Sequence, residues 1–372
     1  MEAGRWQTEN MNTSGFFRRL IASLSAAMKT PFWLTLVIMT GVLSLVIVGL
    51  TLGSENAAAS GTNPGRMALS FAVLLVLVAV ILGIPTVFIG VRENLGRLPF
   101  LHTYLLAVAI GLSFVIAATP ALLLAVFAGN IPVAVWLPVL GTTKLEVWVL
   151  ALLVALAHWA ITHHRGAVAT AFGLIVGITI GPLLVVMAAS FAPPVHQNTS
   201  YIYVQWTDEN QEIDPKTGYP VNPTCQKPSY SKTTATDYTG VWAAIETNPV
   251  ALVSSSVLPV VADYIAPSLT GNGWEANPVG MPAVTLPVDL FATIDLRVRE
   301  MQLPVPTRIT IDECANLKKY GTPYVTQDGK TAPDQIIAKS TSGYPYGLIG
   351  QAAYLALAAA VLIPIRVRSR RS

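Results

Sequence analysis

Three observations predict an all-α polytopic membrane protein of six transmembrane helices, with an N-terminal interfacial helix and a large irregular extracytoplasmic domain between helices 5 and 6. Hydrophobic residues make up 53% of the 372 and charged residues only 12%, where a soluble domain carries about a quarter charged residues. The mean hydropathy is +0.55. Six runs approach the ~20 apolar residues needed to cross about 30 Å of hydrocarbon at about 1.5 Å per residue. Lys and Arg gather beside alternate ends of these runs, the pattern that fixes orientation in a membrane. A net charge of +3, spread over two surfaces, gives no footing for nucleic acid.

Residues 1–31 read as a cytoplasmic N-terminus. Phe16, Phe17, Leu20, Ile21, Leu24 and Met28 form an apolar face, while Arg18, Arg19 and Lys29 point to phosphate headgroups. Ser14 is the expected N-cap. The other reading is a solvated leader that anchors the first span by charge. A cleaved signal peptide is not expected, because a long polar stretch precedes the first apolar run and no small-residue cleavage site follows it closely.

Residues 32–191 hold five spans, expected over Phe32–Leu52, Met67–Val91, Thr103–Ala128, Leu145–Ile161 and Val168–Phe191. The fourth is the weakest, being short and carrying Glu146 near one end and His158 near the other. Residues 344–372 hold the sixth, Tyr346–Ile365, and a basic tail. With both termini inside, the cytoplasmic segments carry Arg5, Arg18, Arg19, Lys29, Arg92, Arg97, Arg165, Arg366, Arg368, Arg370 and Arg371. The short outer loops carry only Arg66 and Lys144, so the asymmetry fixes that orientation, and the membrane is expected to be the plasma membrane.

Residues 192–343 then lie outside, polar and rich in Pro, Thr, Asp and Tyr, which reads as an irregular folded domain. Both cysteines, Cys225 and Cys314, fall here. In an oxidising compartment they can pair and close a loop whose chain-entropy stabilisation is about 4 to 5 kcal/mol; the alternative is two unpaired buried thiols. Val241–Ser268 is apolar but interrupted by Pro249, Pro259, three serines and Asp263, so it does not span. It reads either as a short re-entrant or amphipathic helix anchored by Trp242 and Tyr264, or as the core helix of the outer domain. Asp289–Leu303 places Leu290, Ile294, Val298 and Met301 at helical spacing and is expected to pack rather than catalyse.

Chemistry is scarce. There is no G-x-x-x-x-G-K-[ST] loop, no H-E-x-x-H and no G-x-S-x-G. No catalytic, cofactor-binding or metal-binding residue is assigned. Of the five histidines, His158 has no second histidine expected at its depth, since His102, His163 and His164 fall at the cytoplasmic edge. Ion-driven carriers commonly place acidic or basic groups at mid-membrane, and here only Glu146 comes near, at the outer end of a span. Gly173, Gly177 and Gly181 recur at four-residue spacing before Pro182, a register that lets helices approach, within one subunit or across a dimer.

At this point the residues carry a resemblance. ETNPVALV around Asn248 and Pro249, DLFATIDLRVREMQL followed by DECANL at Cys314, and YPYGLIGQAAYLALAAAVL at the last span resemble the permease subunits of type 2 ATP-binding-cassette exporters, particularly the ABC transporter permeases of actinobacteria. The outer domain is longer and more irregular than in short members of that class. The resemblance implies a dimer with a second permease copy or paralogue, and a separate cytoplasmic ABC ATPase that binds ATP, so no cofactor is held by this chain. It also implies that Val91–His102 is the coupling segment, with Arg92, Glu93, Asn94, Arg97 and Phe100 docking on the ATPase. The implied activity is transport, the chain having no ATPase site of its own, of a lipid, drug or peptide-like substrate. The competing readings are a membrane-anchored envelope enzyme using Asp208, Glu209, Glu212, Asp214, Asp312 and Glu313, and an accessory or sensor subunit acting through the outer domain.

Overall fold

A computed structural model describes residues 13–53, 63–90, 100–205, 212–214, 219–257, 261–265, 268–270, 273–275, 283–287, 289–321, 323, 336–337 and 339–369. Helix α1 (Thr13–Met28) precedes six long apolar helices: α2 (Pro31–Leu52), α3 (Pro64–Gly90), α4 (Phe100–Ala128), α5 (Val133–Ala160), α6 (His164–Ala189) and α11 (Tyr344–Ser369). Each is long and apolar enough to cross a membrane. The chain is a mostly helical, multi-pass membrane protein.

Local sequence sets the helix ends. Thr30 caps α2 through its side chain, with Pro31 in the first turn, and His163 accepts from the Gly166 N–H at the start of α6. Helix α1 begins at Thr13, so Ser14 lies inside it and is not its cap. Leu20 and Leu24 pack on the bundle and Ala27 is buried, while Phe17, Ile21 and Met28 are exposed. The expected apolar face is therefore divided between the bundle and the surroundings.

The fourth span is longer than its hydropathy suggests. Helix α5 starts at Val133 and runs through Pro138, Gly141, Thr142, Thr143 and Lys144 before the expected start at Leu145. Thr142 and Thr143 are buried, and the Thr143 hydroxyl donates to the Val139 carbonyl, which satisfies it inside the helix. Glu146 therefore stands near the middle of the helix, not at its end.

Helices α3, α4 and α5 form the centre, and their buried faces join in one core containing Phe88, Phe114, Leu77, Ile110 and Leu150. Helices α2 and α11 are peripheral, with only 17% of the apolar stretch buried in each, and they expose Leu, Ile and Val. Gly65 and Gly129 meet backbone to backbone, where a Cβ on either would strike the other strand of chain. That contact brings the start of α3 against the end of α4.

Between α6 and α11 the described residues include regular strands and helices. Strands β1 (Val195–Ile202), β4 (Ser229–Ala235) and β9 (Arg308–Asp312) form a sheet in the order β4-β1-β9. β1 and β4 are antiparallel, from Val195↔Ala235 to Tyr201↔Ser229, and β1 and β9 are parallel, from Asn198↔Arg308 to Ile202↔Asp312. β2 (Val204–Gln205) pairs with β3 (Thr224–Cys225), β5 (Val261–Ile265) with β8 (Ala283–Pro287), and β6 (Ser268–Thr270) with β7 (Gly273–Glu275). The Thr, Ser and Tyr content of β1 and β4 suits a pleated surface open on one side, and it reads as loop when taken residue by residue. Short helices α7 (Trp242–Ile245) and α8 (Pro249–Ser254), then α9 (Leu290–Met301) and α10 (Glu313–Tyr320), complete the region.

Val241–Ser268 is thus two short helices followed by strand, and the Tyr264 side chain lies outside the described residues. On α9 the buried residues are Phe291, Ala292, Asp295, Leu296, Val298 and Arg299. Of the expected apolar face only Val298 is buried, because a bonded Asp295–Arg299 pair turns inward in place of Ile294 and Met301.

Candidate functional site

Helix α8 does not lie on the surface, while α7 has no fully buried residue and exposes Ala243. Pro249, Ala251, Leu252, Val253 and Ser254 are buried, and Val253 belongs to the same core as α3–α5. Asn248 caps α8 by accepting from the Val250 N–H, and its own amide donates to the Thr179 carbonyl of α6 at 2.5 Å. That carbonyl lies three residues before Pro182, whose missing N–H and bulky ring disturb the helix bonds just upstream. On the opposite side Gly347 of α11 meets the Glu246 carbonyl and Leu252; any larger residue would push the last helix away. The broken element is therefore wedged among α5, α6 and α11.

A polar seam runs along this wedge. Gln351 of α11 donates through its amide nitrogen to Glu146 Oε1 at 2.7 Å and to the Thr247 carbonyl at 3.3 Å. Gln351 is 2% exposed and Glu146 0%. Among the described residues Glu146 Oε2 and Gln351 Oε1 have no hydrogen-bond partner, and no cation pairs with Glu146. One residue from Thr247, Glu246 is buried as well, and accepts from the Ser255 hydroxyl at 2.8 Å. Beyond it Arg299 bonds to Asp295 at 2.7 Å and to Ser340 at 3.4 Å.

Two buried carboxylates thus lie near one guanidinium, which bonds Asp295 and acts on Glu246 through its charge alone. Burial pushes the Glu246 carboxyl up to about 7, against the Ser255 hydrogen bond and the Arg299 charge, with Asp295 adding repulsion. Burial likewise holds Asp295 above the ordinary carboxyl value, although Arg299 opposes it. The folded value for Glu246 exceeds the ordinary 4.5, so folding favours the protonated acid. The associated stability is complete below about pH 4.5 and is lost as pH rises to about 7. Melting temperature is expected to fall across that window in the wild type and to stay flatter in Glu246→Gln, as measured by thermal unfolding in detergent against pH; equal slopes would place the proton elsewhere.

A buried ion pair fixes this region to the bundle. Arg66, in the first turn of α3, bonds to Asp289 Oδ2 at 2.7 Å, and Asp289 Oδ1 caps α9 by accepting from the Ala292 N–H. Arg66 is therefore buried and paired, not a loop charge.

Of the residues expected to dock on an ATPase, Arg92, Glu93, Asn94 and Arg97 lie outside the described residues, while Phe100 opens α4 and is half-buried. Cys225 and Cys314 are joined by a disulfide; Cys225 is exposed and Cys314 buried against Val204, Tyr219 and Leu317. Gly177 lies under the Tyr354 hydroxyl, which donates to the Leu174 carbonyl at 2.8 Å. A Cβ added at Gly173 or Gly181 would meet no neighbouring element within 4 Å.

His158 does have a neighbour at its depth, because α6 starts at His164 and sets the two rings 6.1 Å apart between centroids. No group of three metal-ligating side chains occurs among the described residues. His164 and Arg165 line an apolar groove with Pro85, Ile89, Val168 and Phe172. Of the acidic residues considered for catalysis, Asp208 and Glu209 lie outside the described residues. Glu212 is exposed and Asp214 half-buried. Asp312 caps α10 through the Ala315 N–H, and Glu313 accepts from the Val204 N–H at 3.5 Å.

Sequence reasoning missed Gln351, Glu246, Asp295, Arg299, Arg66 and Asp289 as partners. The available signal was a single acid or amide inside an apolar run, as in VWAAIETNPVALV and YGLIGQAAYLAL. Comparison of the chain with protein-family models, curated proteins and solved structures gives no match.

Proposed function

We propose that the chain is the membrane-spanning permease subunit of an exporter, with its substrate path along the seam between α5, α6 and α11. The observation that carries this reading is the wedge of α7 and α8, broken helices with buried polar groups set among apolar spans. Non-helical backbone at membrane depth is tolerated where it is enclosed by protein or lines a path, and intramembrane polar groups mark such paths. Interrupted helices near a substrate site are a recurrent device of transporters. The apolar walls suit a lipid, drug or peptide-like substrate.

In this reading the membrane is the plasma membrane, both termini are cytoplasmic and the region between α6 and α11 is extracytoplasmic, as the Lys and Arg asymmetry supports. Helix α1 lies along the cytoplasmic interface, with its exposed Phe17 and Ile21 in lipid. The permease works as a dimer with a copy or paralogue, and a separate ABC ATPase supplies the energy. The support for that partner is the sequence resemblance and the lack of a phosphate loop in the chain.

The test is a mild-detergent pull-down of tagged protein with mass spectrometry of partners and an ATPase assay. Wild type is expected to retain a stoichiometric ATPase subunit, and Arg92→Glu with Arg97→Glu to lose it and its activity. A folded wild type that retains no ATPase would overturn the energy source.

A further inference from the structure

Glu146 and Gln351 leave a defined imbalance of donors and acceptors. The two hydrogens of the Gln351 amide nitrogen are both used, one on Glu146 Oε1 and one on the Thr247 carbonyl. What is left is two buried oxygens, Glu146 Oε2 and Gln351 Oε1, neither with a partner among the described residues. Both are acceptors if the carboxyl is ionised. An unpaired buried acceptor costs about 1–3 kcal/mol, and an unpaired buried charge more. No described cation offsets it.

The surrounding titratable groups are already engaged elsewhere. On α3, Arg66 is bonded to Asp289; on α11, Tyr344 accepts from Thr142 and Tyr354 donates to the Leu174 carbonyl. Glu246, after α7, takes the Ser255 hydroxyl. His102, Tyr104, His158, His164 and Arg165 stand at the opposite ends of α4, α5 and α6. Helix α8 brings no titratable residue, and Lys144, on α5 itself, is exposed.

We infer that Glu146 and Gln351 form a proton-binding site inside the bundle, in which one proton on Glu146 Oε2 closes a cyclic acid–amide pair that pins α11 to α5. Taken up from water, that proton turns Oε2 from an acceptor into a donor. The new O–H donates to Gln351 Oε1 while the amide N–H continues to donate to Glu146 Oε1. A single proton thus removes the charge and satisfies both orphan oxygens. Loss of the proton returns two unpartnered acceptors and one buried charge, which separates α11 from α5. The site opens and closes the contact between α11 and α5 whether or not the chain is a permease.

Infrared difference spectra of the purified full-length protein, recorded between acid and alkaline buffers, test this. Besides the band that Glu246 contributes and Glu246→Gln removes, wild type is expected to show a second carboxylic-acid carbonyl band that is lost in Glu146→Gln, kept in Glu246→Gln and shifted in Gln351→Leu. Glutamine is isosteric with the neutral acid and re-forms both hydrogen bonds as an amide pair, so Glu146→Gln is expected to melt with wild type and Glu146→Ala below it. A second band unchanged in Glu146→Gln, a carboxylate band responding to sodium in its place, or a Glu146→Gln variant that fails to fold would each overturn the site. These readouts need no transport substrate and no ATPase, so their failure is separate from failure of the permease reading.

Discussion

Arg66→Ala is expected to destabilise the protein by about 3–5 kcal/mol, because it leaves the buried Asp289 carboxylate without its charge partner. Both side chains are under a tenth exposed and their contact is 2.7 Å, so water is poorly placed to replace the guanidinium. The pair joins residues far apart in sequence, one opening α3 and the other capping α9, and α9 carries Phe291 into the same core as α3–α5. Its loss is expected to loosen α9 and, through Asp295 and Arg299, the outer part of the seam.

Asp289→Asn separates the charge from the cap. Asparagine caps a helix about as well as aspartate, so this variant keeps the bond to the Ala292 N–H while losing the ion pair. The double variant Arg66→Met with Asp289→Asn is expected to recover much of the loss, since replacing both partners of a buried pair is often close to neutral. Denaturant or thermal unfolding of wild type, Arg66→Met, Asp289→Asn and the double variant in detergent supplies the cycle. Additive losses would mean that the two side chains act independently and that the region is held to the bundle by apolar contact alone.

The six long helices were legible because a membrane imposes length and composition together. Five of the six spans were placed within a few residues, while the start of α5 was missed by about a turn for each of its discouraging residues, Pro138, Gly141 and Thr142. Hydropathy scores those residues by type, whereas the chain satisfies the threonines by place, bonding or burying them within the bundle, and the helix continues through Pro138 in its second turn. That error moved Glu146 to a helix end and hid the seam. The seam itself was not legible, since Glu146 and Gln351 are partners across 205 residues, and nothing local in either run names the other. The same holds for Arg66 and Asp289. Helix α9 shows a third cause: its apolar period was read correctly as helical, but an Asp–Arg pair four residues apart can turn a polar stripe inward by satisfying itself, which a count of apolar residues does not see. The β-sheet was missed because β1 and β4 carry polar alternation and gain their order from register with each other and with β9.

Removing the disulfide by Cys225→Ser with Cys314→Ser is expected to cost about 4–5 kcal/mol in the chain-entropy account, given the length of the loop it closes. The separation is 89 residues, and the loop encloses β4, α7, α8, α9 and β9, so the bond fastens the sheet β4-β1-β9 to the elements that reach the seam. Cys314 sits in the first turn of α10, directly after β9, while Cys225 ends β3, which pairs with β2 at Val204. The bond therefore holds two small sheets together around Val204, Tyr219 and Leu317, a core too small to do so alone. Unfolding of the region between α6 and α11 is expected to separate from unfolding of the helices in the double serine variant, seen as an early transition by protease sensitivity with the long helices still protected. Cys225 is exposed, so a membrane-impermeant reductant added to intact cells is expected to produce the same early sensitivity if the domain faces outward. Protection from that reductant, with sensitivity appearing only after the cells are opened, would reverse the orientation that the basic residues support.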